Sequence, residues 1–141
     1  VLDFADTSGG FSAQTTLALP VDWTTVRLPD VNLYWLTTGT SGNVKWTIQF
    51  VCTDVAATAT DDPSFPASGA GFNTVTVAVP GTASRVQTSA ITAVTLPTSC
   101  VTGTKELLHI RVFRDGNDGS DTATGSTIRF VGMELTIFLS V

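Results

Sequence analysis

Charge is what this 141-residue sequence has least of: Asp, Glu, Lys and Arg make up 13% of it, about half the ~25% of an ordinary soluble domain. Lysine occurs only at Lys45 and Lys105, and the formal net charge is −5. A protein that neutralises phosphates needs a basic footprint, so nucleic acid is not an expected partner. The same shortage argues against a polybasic membrane-surface mode. No run approaches the ~18 apolar residues of a spanning helix, so membrane insertion is not expected. The straight-chain helix formers are scarce and Thr, Val and Gly abundant, which argues against a helical protein. The hydrophobic share of 43%, ordinary for a folded chain, argues against disorder as well.

Catalytic residue types are equally thin. His109 is the only histidine and no Gly-x-Ser-x-Gly elbow occurs, so a Ser/His/Asp hydrolase has no base to spare and no nucleophile turn. Phosphate-cradling glycine motifs are absent. Glutamate occurs only as Glu106 and Glu134, and Asp61 and Asp62 lie in a predicted loop. Paired-carboxylate chemistry needs a set separation across a cleft, and these residues read instead as surface charge. His109, between Leu108 and Ile110, reads as a polar-face strand residue. The sequence therefore predicts neither an enzyme nor a cofactor.

What is present is alternation with period two, the mark of half-buried strands. Val44, Trp46, Ile48, Phe50 and Cys52 alternate with Lys45, Thr47, Gln49 and Val51; Val75, Val77 and Val79 alternate with Thr74, Thr76 and Ala78; Leu108, Ile110 and Val112 alternate with His109 and Arg111. Phe11, Ala13, Thr15, Leu17 and Leu19 mark a strand near the start. Val131, Met133, Leu135, Ile137, Leu139 and Val141 are expected to share one face of a long strand at the end. Segments 31–37 and 86–96 are strand-like but less one-sided. Leu19-Pro20, Leu28-Pro29-Asp30, Val79-Pro80-Gly81 and Leu96-Pro97 punctuate these runs. Gly39 to Asn43 reads as a hairpin loop. The sequence predicts a single all-β domain over residues 1–141, a two-sheet antiparallel β-sandwich of jelly-roll type with seven to nine strands.

Two cysteines, Cys52 and Cys100, leave two readings open: a disulfide closing a long loop, or two buried thiols. The loop Asp115-Gly116-Asn117-Asp118-Gly119-Ser120-Asp121 is the densest polar cluster, and Asp115, Asn117, Asp118 and Asp121 offer oxygens to a calcium ion. Gly119 and Ser126 stand where a calcium loop places ligands, so a long hairpin turn is the preferred reading and no metal is expected. Trp23, Tyr34 and Trp35 offer a glycan-stacking platform, against which stands the default burial of large aromatics in a core. Trp46 lies on an apolar face and is assigned to that core.

Two features point to assembly. The polar faces of the strands carry Thr, Ser, Ala and Gln where Lys and Glu ordinarily discourage edge pairing. Charge depletion of that kind also marks interface cores. Residues 1–10, Val1-Leu2-Asp3-Phe4 followed by Ser8-Gly9-Gly10, read either as a detached strand or arm or as an ordinary first strand or frayed end. Val1, Leu2 and Phe4 suit a detached strand that adds to a neighbour's sheet edge. The sequence begins at Val1 without methionine, as after removal of a leader or from an incomplete start.

Val31-Asn32-Leu33-Tyr34-Trp35 followed by Gly42-Asn43-Val44-Lys45-Trp46, with Ile110-Arg111-Val112-Phe113-Arg114-Asp115, Asp121-Thr122 and Gly132-Met133-Glu134-Leu135, resembles a group of phage-encoded β-sandwich proteins found alone or as domains of tail-fibre and other virion proteins. The resemblance covers the stretch from Val31 to the end. It implies a structural or attachment role without enzyme activity, on a virion or outside the cell, and transfers no binding residues. The expected partners are copies of the chain itself, with a surface glycan as the alternative.

Overall fold

The computed structural model describes residues 2–4, 12–24, 29–55, 64–101, 106–124 and 127–139; at 2–4 it describes the backbone alone. Alternation becomes eight strands in chain order: β1 (Leu2–Phe4), β2 (Ser12–Ala18), β3 (Asp30–Thr37), β4 (Asn43–Asp54), β5 (Phe72–Ala78), β6 (Gln87–Ile91), β7 (Glu106–Arg114) and β8 (Ile128–Thr136). They form two four-stranded sheets, ordered β1-β8-β3-β6 and β2-β7-β4-β5, and every pairing is antiparallel. That order is the jelly roll, two interlocked Greek keys. No helix among the described residues is long and apolar enough to cross a membrane.

The topology corrects two local expectations. Among the described strands, consecutive ones pair directly only at β4–β5, joined by the long connection 55–71. The segment from Gly39 to Asn43 is therefore not a hairpin loop: it carries the chain from β3 in one sheet to β4 in the other. The 115–127 connection likewise passes between sheets, from β7 to β8.

The inward rows meet in one core. Trp35 of β3, Trp46 of β4 and Phe130 of β8 interlock between the sheets, with Trp46 6.1 Å from each partner and tilted by 58° and 56°. Such tilted pairs add roughly 0.5–1.5 kcal/mol beyond the area they bury. Val31, Leu33, Val44, Ile48, Phe50, Ile110 and Val112 fill the space around them. Cys52 at the end of β4 and Cys100 in the β6–β7 connection are joined by a disulfide, which staples one end of the sandwich.

β8 departs from strict alternation. Tyr34 faces Gly132 across β3–β8, whereas Trp35 faces Phe130, so Val131 is an extra, bulged residue. The bulge exchanges the two faces of the strand. Ile128 and Phe130 join Met133 and Leu135 on the inner face, while Val131 is 43% exposed. The expectation that Val131 shares the apolar face with Met133 fails for this reason. Leu139 also lies outside the core, and Val141 falls outside the described residues.

Candidate functional site

The loop Asp115–Asp121 is organised by the protein's own cations. Asp121 is buried and accepts from Arg114 at both oxygens, Nη2 to Oδ1 at 2.6 Å and Nε to Oδ2 at 2.9 Å. Its Oδ2 also accepts from the Lys45 backbone N–H at 3.0 Å. Asp118 Oδ2 accepts from Lys45 Nζ, and Asp115 Oδ2 lies 3.8 Å from the same ammonium. That hydrogen bond, helped by the Ser120 N–H, holds the Asp118 carboxyl at about 2, below the usual carboxylate range. Asn117 is exposed. The four calcium-candidate residues thus do not converge on a common point: two carboxylates face Lys45 and one is sequestered with Arg114. The loop packs against Gly42, whose φ of 91° suits glycine and whose hypothetical Cβ would sit 2.6 Å from the Thr122 carbonyl oxygen. Among the described residues one group of three potential metal ligands lies close together, Cys52, Cys100 and Glu106. The disulfide already occupies both of its sulfurs.

Glu106 is not the surface charge expected of it. It opens β7 at 1% exposure, and its Oε1 accepts from the Val101 N–H at 2.8 Å. Asn73 ties the opposite side of the same end, accepting from the Thr95 N–H at 2.8 Å and donating to its carbonyl at 3.0 Å. His109 does lie on the polar face of its strand, between two threonines: Thr16 Oγ1 is 2.9 Å from Nδ1 and Thr53 Oγ1 is 2.9 Å from Nε2. Hydroxyls donate or accept with either imidazole tautomer, so the triplet stitches β2, β7 and β4 together.

The aromatic platform is corrected by burial. Trp23 and Trp35 are 2% and 0% exposed, so neither offers a face to a sugar ring. Trp35 Nε1 donates to the buried Ser89 Oγ at 2.8 Å. Tyr34 alone of the three reaches the surface region, and its hydroxyl donates to Glu134 Oε2 at 2.9 Å. That acceptor raises the phenol's pKa above its ordinary value.

The outer faces of the sheets are of two kinds. Over β4 and β7 the chain covers itself. Gln49 Nε2 donates to the Pro66 carbonyl at 2.6 Å, Arg111 Nε donates to Gln49 Oε1, and the Arg111 guanidinium lies 4.7 Å from the Phe65 ring centre. Thr47 and Gln49 are buried there, although alternation alone places them on the polar face. A returning loop was not legible in the strand pattern. Uncovered surface lies on β8, where Arg129, Val131, Glu134 and Thr136 are exposed, and at the sheet margins. Ser12, Gln14, Thr16 and Ala18 of β2, Thr74, Thr76 and Ala78 of β5, and Thr88 and Ala90 of β6 are exposed. Of the four edge strands, β2, β5 and β6 contain no charged residue and no proline.

The expected detached strand is paired within its own chain. Leu2, Asp3 and Phe4 run antiparallel to Phe130, Arg129 and Ile128 of β8. Val1 and the remainder of the arm lie outside the described residues. Searches of protein-family models, curated proteins and solved structures find no match to this chain.

Proposed function

We propose that this protein is a non-enzymatic structural subunit that assembles with copies of itself, as a virion component or as the repeating unit of an extracellular filament. The supporting observation is the chemistry of the sheet margins. An edge strand displays unpaired N–H and C=O groups, and soluble monomers blunt such edges with lysine, proline or inward charge. Here β2, β5 and β6 carry none of these and present Thr, Ala, Ser and Gln. Charge-poor margins suit close approach by another polypeptide, because no charge has to be desolvated there.

Three further features support the reading. The jelly roll is a fold that serves capsid and lectin domains among others, although fold alone does not assign function. The likeness of the Val31–Trp46 and Ile110–Leu135 motifs to phage virion β-sandwiches points the same way. The Cys52–Cys100 disulfide suits an oxidising compartment outside the cell. Closed symmetry gives a spike or decoration protein, and a contact that does not close gives a filament.

Electron micrographs of the purified protein test this. Regular oligomers or filaments are the expected result, dispersed by lysine at Thr16, Thr76 and Thr88. Uniform monomers across concentration and salt would overturn the proposal.

A further inference from the structure

Cys52, Cys100 and Glu106 meet at one end of the sandwich, all three buried, with two sulfurs and a carboxylate oxygen within 4.8 Å of one another. β4 and β7 are paired in register there, Cys52 opposite Leu108 and Asp54 opposite Glu106. Cys52 and Glu106 are therefore diagonal neighbours on one face of the sheet, and the β6–β7 connection brings Cys100 to them.

Each of the three is anchored without the sulfur–sulfur bond. The Cys52 N–H donates to Ser99 Oγ at 3.4 Å, and the Cys100 N–H donates to the Pro97 carbonyl at 3.0 Å. The Glu106 carbonyl accepts from the Leu19 N–H at 2.8 Å. Its carboxylate is oriented as well, because Oε1 accepts from the Val101 N–H. Opening the disulfide therefore leaves the three side chains gathered.

These are donors that zinc takes. Thiolate sulfur and carboxylate oxygen bind Zn²⁺ at ~2.3 and ~2.1 Å, and a tetrahedral ion holds two sulfurs roughly 3.8 Å apart. Side-chain rotation about Cα atoms 4.9 Å apart supplies that spread. Two thiolates favour zinc over calcium or magnesium, which prefer oxygen. A dication also offsets a buried carboxylate, which an uncharged disulfide does not.

We propose that the reduced protein binds one Zn²⁺ through Cys52 Sγ, Cys100 Sγ and a Glu106 carboxylate oxygen, with water completing the tetrahedron. Disulfide and metal are alternatives. A dithiol reductant gives two electrons and two protons to the Sγ–Sγ bond, closing to its own disulfide and leaving two thiols. Zn²⁺ then replaces the two thiol protons, which pass to solvent. The same end of the sandwich is thus stapled by metal in a reducing compartment and by the disulfide in an oxidising one. Self-assembly is not required for this site, nor this site for self-assembly.

The full chain is reduced with dithiothreitol, freed of it without air, and titrated with Co²⁺, whose thiolate complexes absorb in the near ultraviolet and visible. Reduced wild type is expected to take up one Co²⁺ per chain and yield it to Zn²⁺. It is also expected to melt at a higher temperature with Zn²⁺ than without, and the oxidised chain to show neither effect. Glu106→Gln keeps an acceptor for the Val101 N–H and is expected to weaken Co²⁺ at least tenfold, its fold checked by circular dichroism of the oxidised variant. X-ray absorption at the zinc edge of reduced wild type needs no variant, and is expected to show two sulfurs with oxygen in the remaining shell. No uptake by the reduced chain, equal binding by E106Q, or a shell of four sulfurs drawn from two chains would overturn the site.

Discussion

Arg114 and Asp121, seven residues apart, form a doubly hydrogen-bonded ion pair in which neither side chain is exposed. Removing one partner leaves the other charge buried, a loss typically of about 3–5 kcal/mol, whereas replacing both with apolar groups is often near neutral. Asp121→Asn is therefore expected to lower unfolding free energy by about that amount in urea titration, and R114M/D121L by much less. Equal losses in the two variants would show that the pair is not the determinant of the loop.

Cys52 and Cys100 are 48 positions apart, and in the chain-entropy model a loop of that size contributes about 4 kcal/mol by restricting the unfolded chain. Cys52→Ala with Cys100→Ala is expected to lower stability by that order in denaturant titration while keeping the β-sheet circular dichroism. A change below about 1 kcal/mol would locate the stability of this end in the Glu106–Val101 and Asn73–Thr95 hydrogen bonds instead.

Acid titration has a defined sign. The folded pKa of Asp118 is lowered from 3.8 to about 2, first by its hydrogen bond with Lys45. Its stabilising contribution is full above the ordinary value and lost as pH falls through the folded one. The melting-temperature gap between wild type and Asp118→Asn is expected to be open at pH 6 and to close between about pH 4 and 2. A gap independent of pH would mean that Asp118 acts through its backbone turn rather than its charge.

The strand rows of β4, β5 and β7 were legible because each pairs one buried face with one polar face, and side-chain period two registers that directly. Residues that break the period were not. One bulged residue at Val131 exchanges the faces of β8; its local mark is the neighbouring Gly132, a residue that within a strand pattern signals a bulge but does not show which way the faces turn. Trp23 and Trp35 could not be separated from exposed aromatics until Ser89 and the opposing sheet were placed. Gln49 reads as surface because the connection after β4 returns through Phe65 and Pro66 to cover it and Arg111. The Arg114–Asp121 pair was hidden inside a cluster whose residue types equally suit a cation or a turn. The charge-free edges were visible as composition, but which strands are edges is a property of topology alone.

The central claim is self-association through unprotected margins. Sedimentation velocity of the wild-type protein over a hundredfold concentration range, at moderate salt, tests it most directly. The expected result is mass rising with concentration toward discrete oligomers or filaments. It should collapse to monomer when Thr16, Thr76 and Thr88 all become lysine. A single species at monomer mass across the whole range would contradict it.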